Sequence, residues 1–287
     1  MMVDNKEIVI TGKLIKIAKI KEEWYEDIEN PSLFVERFKK NNVKADIFSF
    51  WQRLPENKPK YNYYMEWDSI AVLPITSFKN WFEKQINSKS RKHIRQAQKK
   101  DVIIMGTIFD DEFIKGMVNV FNETPIRQGK PFWHYGLGFN EVKQVFSQNI
   151  HREDIVGAYY NGELIGFIML AHADKYSMFT QIISKIEHLD KSPNYALMAK
   201  AIEICESKKT PYLIFGYWPR TSLADFKRYN AFEKIDLPRY YVPLTMKGKI
   251  ALKLYLLHGI AGVLPEKIIL RLIDLRSKWY SKKTKSV

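Results

Sequence analysis

Four groups of residues in this 287-residue chain have the types and spacing to do chemistry. The first is Ser192-Pro193-Asn194. A serine can accept from the amides at N2 or N3 of a helix, and proline fits the first helical position. The free amides and the dipole at such a start form a ready anion site. Lys185, Lys191 and Lys200 lie nearby, although an ordinary capped helix accounts for the same residues. The second is Lys227, in a short helical stretch from Ser222 to Tyr229. There Leu223 and Phe226 take the inward face and leave Lys227 and Arg228 to reach a cleft or solvent. The third is the segment from Glu123 to Phe139, which gathers Arg127, Trp133, His134 and Tyr135 among glycines. A loop so long and aromatic is uncommon in a compact domain unless it lines a site. A packed or solvent-facing His134 is the simpler reading of that histidine. The fourth is a basic run, Lys89, Arg91, Lys92, Arg95, Lys99 and Lys100, with no acid between Lys84 and Lys100. It suits either a solvated helix face or a patch for phosphates.

Other chemistries have no support. The histidines are scattered, with no His-x-x-x-His pair and no cysteine partners, so no metal site is expected. Gly-x-Ser-x-Gly, Walker and Gly-x-Gly-x-x-Gly patterns are absent. A single cysteine, Cys205, excludes an intramolecular disulfide and suits a reducing compartment, so a cytoplasmic location is expected. Met1–Glu7 shows no apolar stretch behind basic residues, and no run of about 18 apolar residues occurs that could span a bilayer. The net charge of +14 calls for an acidic partner: nucleic acid, anionic lipid, a phosphate-bearing cofactor or an anionic glycan.

The elements that must position these groups follow from periodicity. Glu7–Lys19 reads as a strand pair or one long strand, Ser32–Lys40 as a helix, and Asp46–Leu54 and Tyr63–Pro74 as strands. Ser77–Lys100 has a helical pattern throughout. From Val102 the order is strand, helix, helix, three antiparallel strands, helix, strand, helix, strand. An Asn161-Gly162 turn joins the first two strands of the meander. The helix from Ser192 to about Ser207 should bury Met198, Ala201, Ile202 and Cys205. The last strand is expected near Tyr240–Thr245. Residues 246–287 read as basic amphipathic helices, suited to packing on the domain or to an anionic membrane surface. The expected division is 1–76, a region packed on the core; 77–245, the main domain; and 246–287, the helical extension.

This order resembles the GNAT acyltransferase fold. Ser88-Lys-Ser-Arg-Lys-His-Ile-Arg-Gln-Ala-Gln-Lys-Lys-Asp-Val-Ile, Val156-Gly-Ala-Tyr-Tyr-Asn-Gly-Glu-Leu-Ile-Gly-Phe-Ile, Ser192-Pro-Asn-Tyr-Ala-Leu-Met and Ser222-Leu-Ala-Asp-Phe-Lys resemble its FemAB-type branch. That branch includes peptidoglycan bridge-forming transferases. The Trp-Tyr-Glu-Asp at Trp24, the Arg127–Tyr135 loop and Pro238-Arg-Tyr-Tyr-Val-Pro-Leu-Thr245 are similar to GNAT-like proteins of bacterial polysaccharide biosynthesis. The expected class is therefore α/β: a mixed, mostly antiparallel central sheet flanked by helices, with N-terminal strands and a C-terminal helical extension.

The resemblance implies roles. An acyl-CoA, acetyl-CoA for instance, would lie between the strands Tyr176–Ser184 and Pro211–Trp218. It would touch Ile182 and Ile183, with its pyrophosphate at Lys191, Ser192, Asn194, Tyr195 and Ala196. The chain departs from the Arg/Gln-x-x-Gly-x-Gly/Ala cradle, with Lys191-Ser-Pro-Asn-Tyr-Ala in its place. FemAB-type enzymes lose the cradle similarly, and many take aminoacyl-tRNA as donor. Lys227 is implied as the group that stabilises negative charge, with Glu123 and His134 as proton acceptors. Arg127, Trp133, Tyr135 and Tyr217 would bind the acceptor. The expected activity is acyl transfer to an amine or hydroxyl of a cell-envelope or polysaccharide precursor, with a lipid- or nucleotide-linked glycan and tRNA as partners. The enzyme would be cytoplasmic or peripheral at the inner face of the membrane. The alternative is a non-catalytic binding protein that keeps the fold.

Overall fold

The computed structural model describes residues 1–41, 43–219, 223–257, 271 and 275. In chain order the elements begin β1 (Met2–Val3), β2 (Lys6–Thr11), β3 (Ile17–Ile20), α1 (Pro31–Lys40), β4 (Ile47–Trp51) and β5 (Tyr64–Pro74). Then come α2 (Phe78–Asn80), α3 (Ser88–Lys99), β6 (Ile103–Thr107), α4 (Asp111–Phe121), β7 (Ile126–Arg127), β8 (Lys130–Pro131) and α5 (Phe139–Phe146). The rest are β9 (Glu153–Tyr160), β10 (Glu163–His172), β11 (Ser177–Ser184), α6 (Pro193–Ser207), β12 (Tyr212–Tyr217), α7 (Leu223–Tyr229), β13 (Glu233–Pro243) and α8 (Met246–Lys253).

The described chain forms two compact units. One is Met1–Ser69 with Ile235–Leu275, and the other is built on Ile70–Lys234. The division differs from the expected 1–76, 77–245 and 246–287. Strand β5 begins in the first unit and ends in the second, and β13 does the reverse, so no single cut along the chain separates them. Most of the expected C-terminal helices lie outside the described residues.

In the first unit the strand order is β1-β2-β3-β4-β13, with β2–β3 antiparallel, β3–β4 parallel and β4–β13 antiparallel. Helix α1 lies against this sheet. The Asn30 side chain accepts from Leu33 N at 3.1 Å to cap it, and Phe34 and Phe38 pack on Phe48 with ring centroids 5.3 and 5.0 Å apart.

In the second unit the order is β5-β12-β11-β10-β9-β6. The meander β9–β10–β11 is antiparallel, as its period-2 pattern predicts. Asn161 and Gly162 turn it with φ of 51° and 81°, the left-handed pair that a tight hairpin requires. Helix α6 covers one face. Leu197, Met198, Ala201, Ile202 and Cys205 are fully buried there, each large side chain stabilising by roughly 1.5–3 kcal/mol. Helix α4, capped by Asp110 at 2.8 Å, covers the other with Phe113, Ile114, Met117 and Phe121.

Three local expectations are corrected. Ser77–Lys100 is two helical pieces, because Asn87 leaves the helix and its side chain caps the next one through Ser90 N at 2.7 Å. The Glu123–Phe139 loop contains the small hairpin β7–β8, turned at Gln128 and Gly129. The last strand starts at Glu233, earlier than Tyr240.

Candidate functional site

The geometry that matters lies in the second unit. Strands β11 and β12 run parallel and pair at only two positions, Ser177↔Leu213 and Met178↔Ile214. Past these pairs β11 continues to Ser184 and β12 to Tyr217 without further pairing between them. Two irregularities accompany the parting. In β11, Thr180 drops out of register with β10, and its Oγ1 donates to Met169 O at 3.1 Å. In β12 the register with β5 shifts between Ile214 and Tyr217, where Gly216 has φ of 60°. Such bulges re-aim side chains and backbone groups, and they recur beside functional sites.

Lys227 of α7 comes to the end of β12. Its Nζ donates to the carbonyls of Phe215 and, at 2.8 Å, Tyr217, and it sits 4.4 Å from the Phe215 ring centroid. Phe226, beside it, packs edge-on against Tyr195 at 5.0 Å and Phe215 at 6.3 Å. The lysine itself is 2% exposed. The expectation that Lys227 reaches a cleft or solvent is thus corrected: it reaches backbone carbonyls in the interior. Burial brings its pKa down to about 8. A buried ammonium without a paired carboxylate is costly, which makes it a functional-site candidate. The expected capping residue of α7, Ser222, lies outside the described residues.

The start of α6 departs from the expected cap. Ser192 has left-handed φ of 60° and its side chain caps nothing. Its Oγ lies 2.8 Å from His93 Nδ1 of α3, and the His93 ring stacks on Tyr195 with centroids 4.6 Å apart. Gln96 Nε2 donates to Asp190 O at 2.6 Å, and Lys100 pairs with Asp190. The amides of Ser192 and Tyr195 already donate to Leu189 O and Ser192 O, while Pro193 has none. Burial first, then Lys89 and Lys92, lowers the His93 pKa, so the ring is neutral near pH 7. This helix start is therefore stoppered by α3. Asn194 Oδ1 is buried without a partner among the described residues, and Lys191 lies 4.6 Å over the Tyr160 ring.

The remaining candidates cluster at β11. Arg127 donates to Ser184 O at 2.9 Å, to Val120 O at 3.2 Å and to Glu123 Oε2 at 2.9 Å, while Glu123 Oε1 accepts from Glu187 N at 3.0 Å. The pair therefore ties the end of α4 to the end of β11. His134 is 2% exposed, stacked on Phe121 at 4.6 Å, with Nε2 3.4 Å from Gln181 Nε2. Burial brings its pKa down to about 4, so it is neutral near pH 7. Trp133, Tyr135 and Tyr217 are exposed. Ile183 packs with the α4 side of the core and Ile182 with the α6 side. Among the basic run, Arg91 is spent on the carbonyls of Phe82, Glu83 and Ile86, whereas Lys89, Lys92, Arg95 and Lys99 are exposed.

No family model matches the chain, and no curated protein matches it in sequence. Solved structures resemble it in fold. A crystal structure of FemX aligns over 86% of this chain and 85% of its own, with TM-score 0.59 and 9% identity. The C-terminal domain of a putative lysylphosphatidylglycerol synthetase from Agrobacterium fabrum aligns over 91% and 90%, with TM-score 0.59 and 11% identity. L-PGS from Bacillus licheniformis aligns over 86% and 84%, with TM-score 0.55 and 12% identity. The fold is a GNAT fold. Strands β11 and β12 part in this sheet, and α6 connects them along the chain. Sequence reasoning found those elements and named Lys227, but not its interior place. It did not single out His93, Gln96 or Gln181, whose contacts to Ser192, Asp190 and His134 are tertiary. One signal existed: His93 lies on the stripe of α3 that buries Ser90, Ile94 and Ala97.

Proposed function

We propose that the second unit transfers an aminoacyl group from an ester donor, aminoacyl-tRNA, to an amine or hydroxyl of a cell-envelope precursor. One observation carries this reading. Strands β11 and β12 part beside a buried ammonium, Lys227, while the α6 start that would cradle a CoA pyrophosphate is stoppered by His93, Ser192 and Tyr195. The likeness to a lysylphosphatidylglycerol synthetase domain points the same way, toward a lipid-linked acceptor at the inner face of the membrane. No helix among the described residues is long and apolar enough to cross a membrane.

The chemistry divides as follows. The acceptor nitrogen or oxygen attacks the ester carbonyl carbon, and negative charge builds on the carbonyl oxygen. The carbon–oxygen bond to the ribose then breaks, and the leaving oxygen takes a proton. Lys227 supplies positive charge to that transition state, and a pKa of about 8 lets it give up a proton near neutral pH. Glu123 or His134 takes the acceptor's proton. Arg127 and Gln181 fix the wall at β11. Trp133, Tyr135 and Tyr217 offer rings to the acceptor. Lys89, Lys92, Arg95 and Lys99 offer an exposed basic face to the tRNA.

The test is transfer of radiolabelled amino acids from a charged tRNA mixture to an envelope lipid and precursor extract. Expected are a labelled product and tRNA binding that weakens steeply with salt. Stabilisation by acetyl-CoA, with none by charged tRNA, would replace the donor with a thioester. Response to neither would favour the non-catalytic reading.

A further inference from the structure

We propose that β6 is the strand through which two copies of this chain pair, antiparallel, about a two-fold axis through Met105. β6 ends the strand order of its sheet, and among the described residues only β9 pairs with it. It carries Ile103 and Met105 exposed at 60% and 50%, and Ile108 follows at 70%. An exposed apolar edge with no lysine or proline inside it is a template for another strand.

The flanks say which strand. Lys99 and Lys100 precede β6, and Asp110 and Asp111 follow it; all four are exposed. In an antiparallel pair, opposed residues share a face, so only registers that differ by two residues keep the apolar side chains together. With Met105 opposite itself, Ile103 meets Thr107 of the second copy. Lys99 and Lys100 then come to the end where Asp111 and Asp110 of the second copy leave the strand. The neighbouring registers lose strand pairing: a centre at Ile104 or Gly106 leaves only three of the five β6 residues opposed, whereas Met105 at the centre opposes all five. Lys100 and Asp111 already pair with Asp190 and Lys143, but those pairs are exposed, worth little, and exchangeable. The occupant that fits is therefore a second copy of this chain.

The test uses the full-length protein in sedimentation and disulfide trapping. The only native cysteine, Cys205, is buried. Met105→Cys should yield a covalent dimer on mild oxidation, since directly opposed residues fall within disulfide reach of about 4.4–6.8 Å. Ile103→Cys should not, because its two copies would stand roughly 14 Å apart. Lys99→Glu and Asp111→Lys should each weaken dimerisation, roughly tenfold over the two symmetric contacts, and the double variant should restore it. A monomer at every accessible concentration overturns the proposal. So does a dimer that traps at residue 103 in preference to 105, or one that is indifferent to the charge reversals.

Discussion

Each unit contains a pair of parallel strands that part after two residue pairs, and the two pairs end differently. In the first unit the hairpin β2–β3, helix α1 and strand β4 repeat the plan of β10–β11, α6 and β12 in the second. Strands β3 and β4 pair only at Ile17↔Ile47 and Ala18↔Phe48. Beyond them the space is filled: Trp51 Nε1 donates to Glu23 O at 3.0 Å, and Trp24 packs on Trp51 at 4.7 Å. A cavity of about 10 Å³ remains among Ile20, Glu23, Ser49 and Trp51, too little for a ligand. The buried cation there, Arg239, meets two carboxylates, Glu23 at 2.9 Å and Asp68 at 2.5 Å. Burial pushes the Glu23 carboxyl up, but Arg239 and Lys19 outweigh it and hold it below the ordinary range. Among the described residues of the second unit, the buried cation Lys227 meets carbonyls and the Phe215 ring, and no carboxylate. Arg239 is a charge satisfied by carboxylates; Lys227, on the proposed function, is the one that a substrate completes.

The largest effect should come from breaking the satisfied pair. Arg239→Met leaves Glu23 buried without its main counter-ion and should cost about 3–5 kcal/mol in urea unfolding. Lys227→Met should do the opposite kind of damage: transfer falls by roughly a hundredfold or more, while the unfolding midpoint near pH 7 holds or rises because the cost of burying the ammonium is removed. If Lys227→Met proves as destabilising as Arg239→Met, the contrast between the units fails.

A pH series sharpens the same contrast. Below about pH 8 both folded and unfolded chains carry the Lys227 proton, and the cost of burying it is fully present. Between about 8 and the ordinary 10.5 the unfolded chain binds more protons, so folding stability rises with pH. Wild type should gain about 3 kcal/mol relative to Lys227→Met across that window, measured by urea unfolding at each pH. The two helix starts give the smallest effects. Asn30→Ala should cost about 1 kcal/mol as a lost cap at α1. His93→Ala should cost a similar amount through the orphaned Ser192 hydroxyl, and should also open α6 to phosphate, read as a new thermal response to CoA.

The sheet of the second unit was legible because each strand announces itself locally. Alternation, the Asn161-Gly162 turn and the α6 stripe each depend on residues close in sequence. The stoppered α6 start was not, because the cap that Ser192 promises is overridden by His93, ninety-nine residues away. The interior placement of Lys227 was hidden for the same reason: a short helix with a lysine looks like any surface helix until the Phe215 and Tyr217 carbonyls take up its ammonium. The repeat of the plan in the first unit was obscured by dissimilar side chains and by β5 and β13, which each belong to both units.

That exchange of strands has a consequence for how the protein is made. The first unit is not complete until β13 lies beside β4, and β13 is synthesised only after the whole of Ile70–Lys234. At roughly 5–20 residues per second, the N-terminal strands wait on the order of ten seconds or more with the edge of β4 open. A ribosome that stalls in between releases a chain with that edge exposed, and expression of residues 1–69 alone should give aggregate. The organism therefore has to guard an unfinished sheet during every round of translation, and slow translation or scarce chaperones should lower the yield of this protein before they touch its activity.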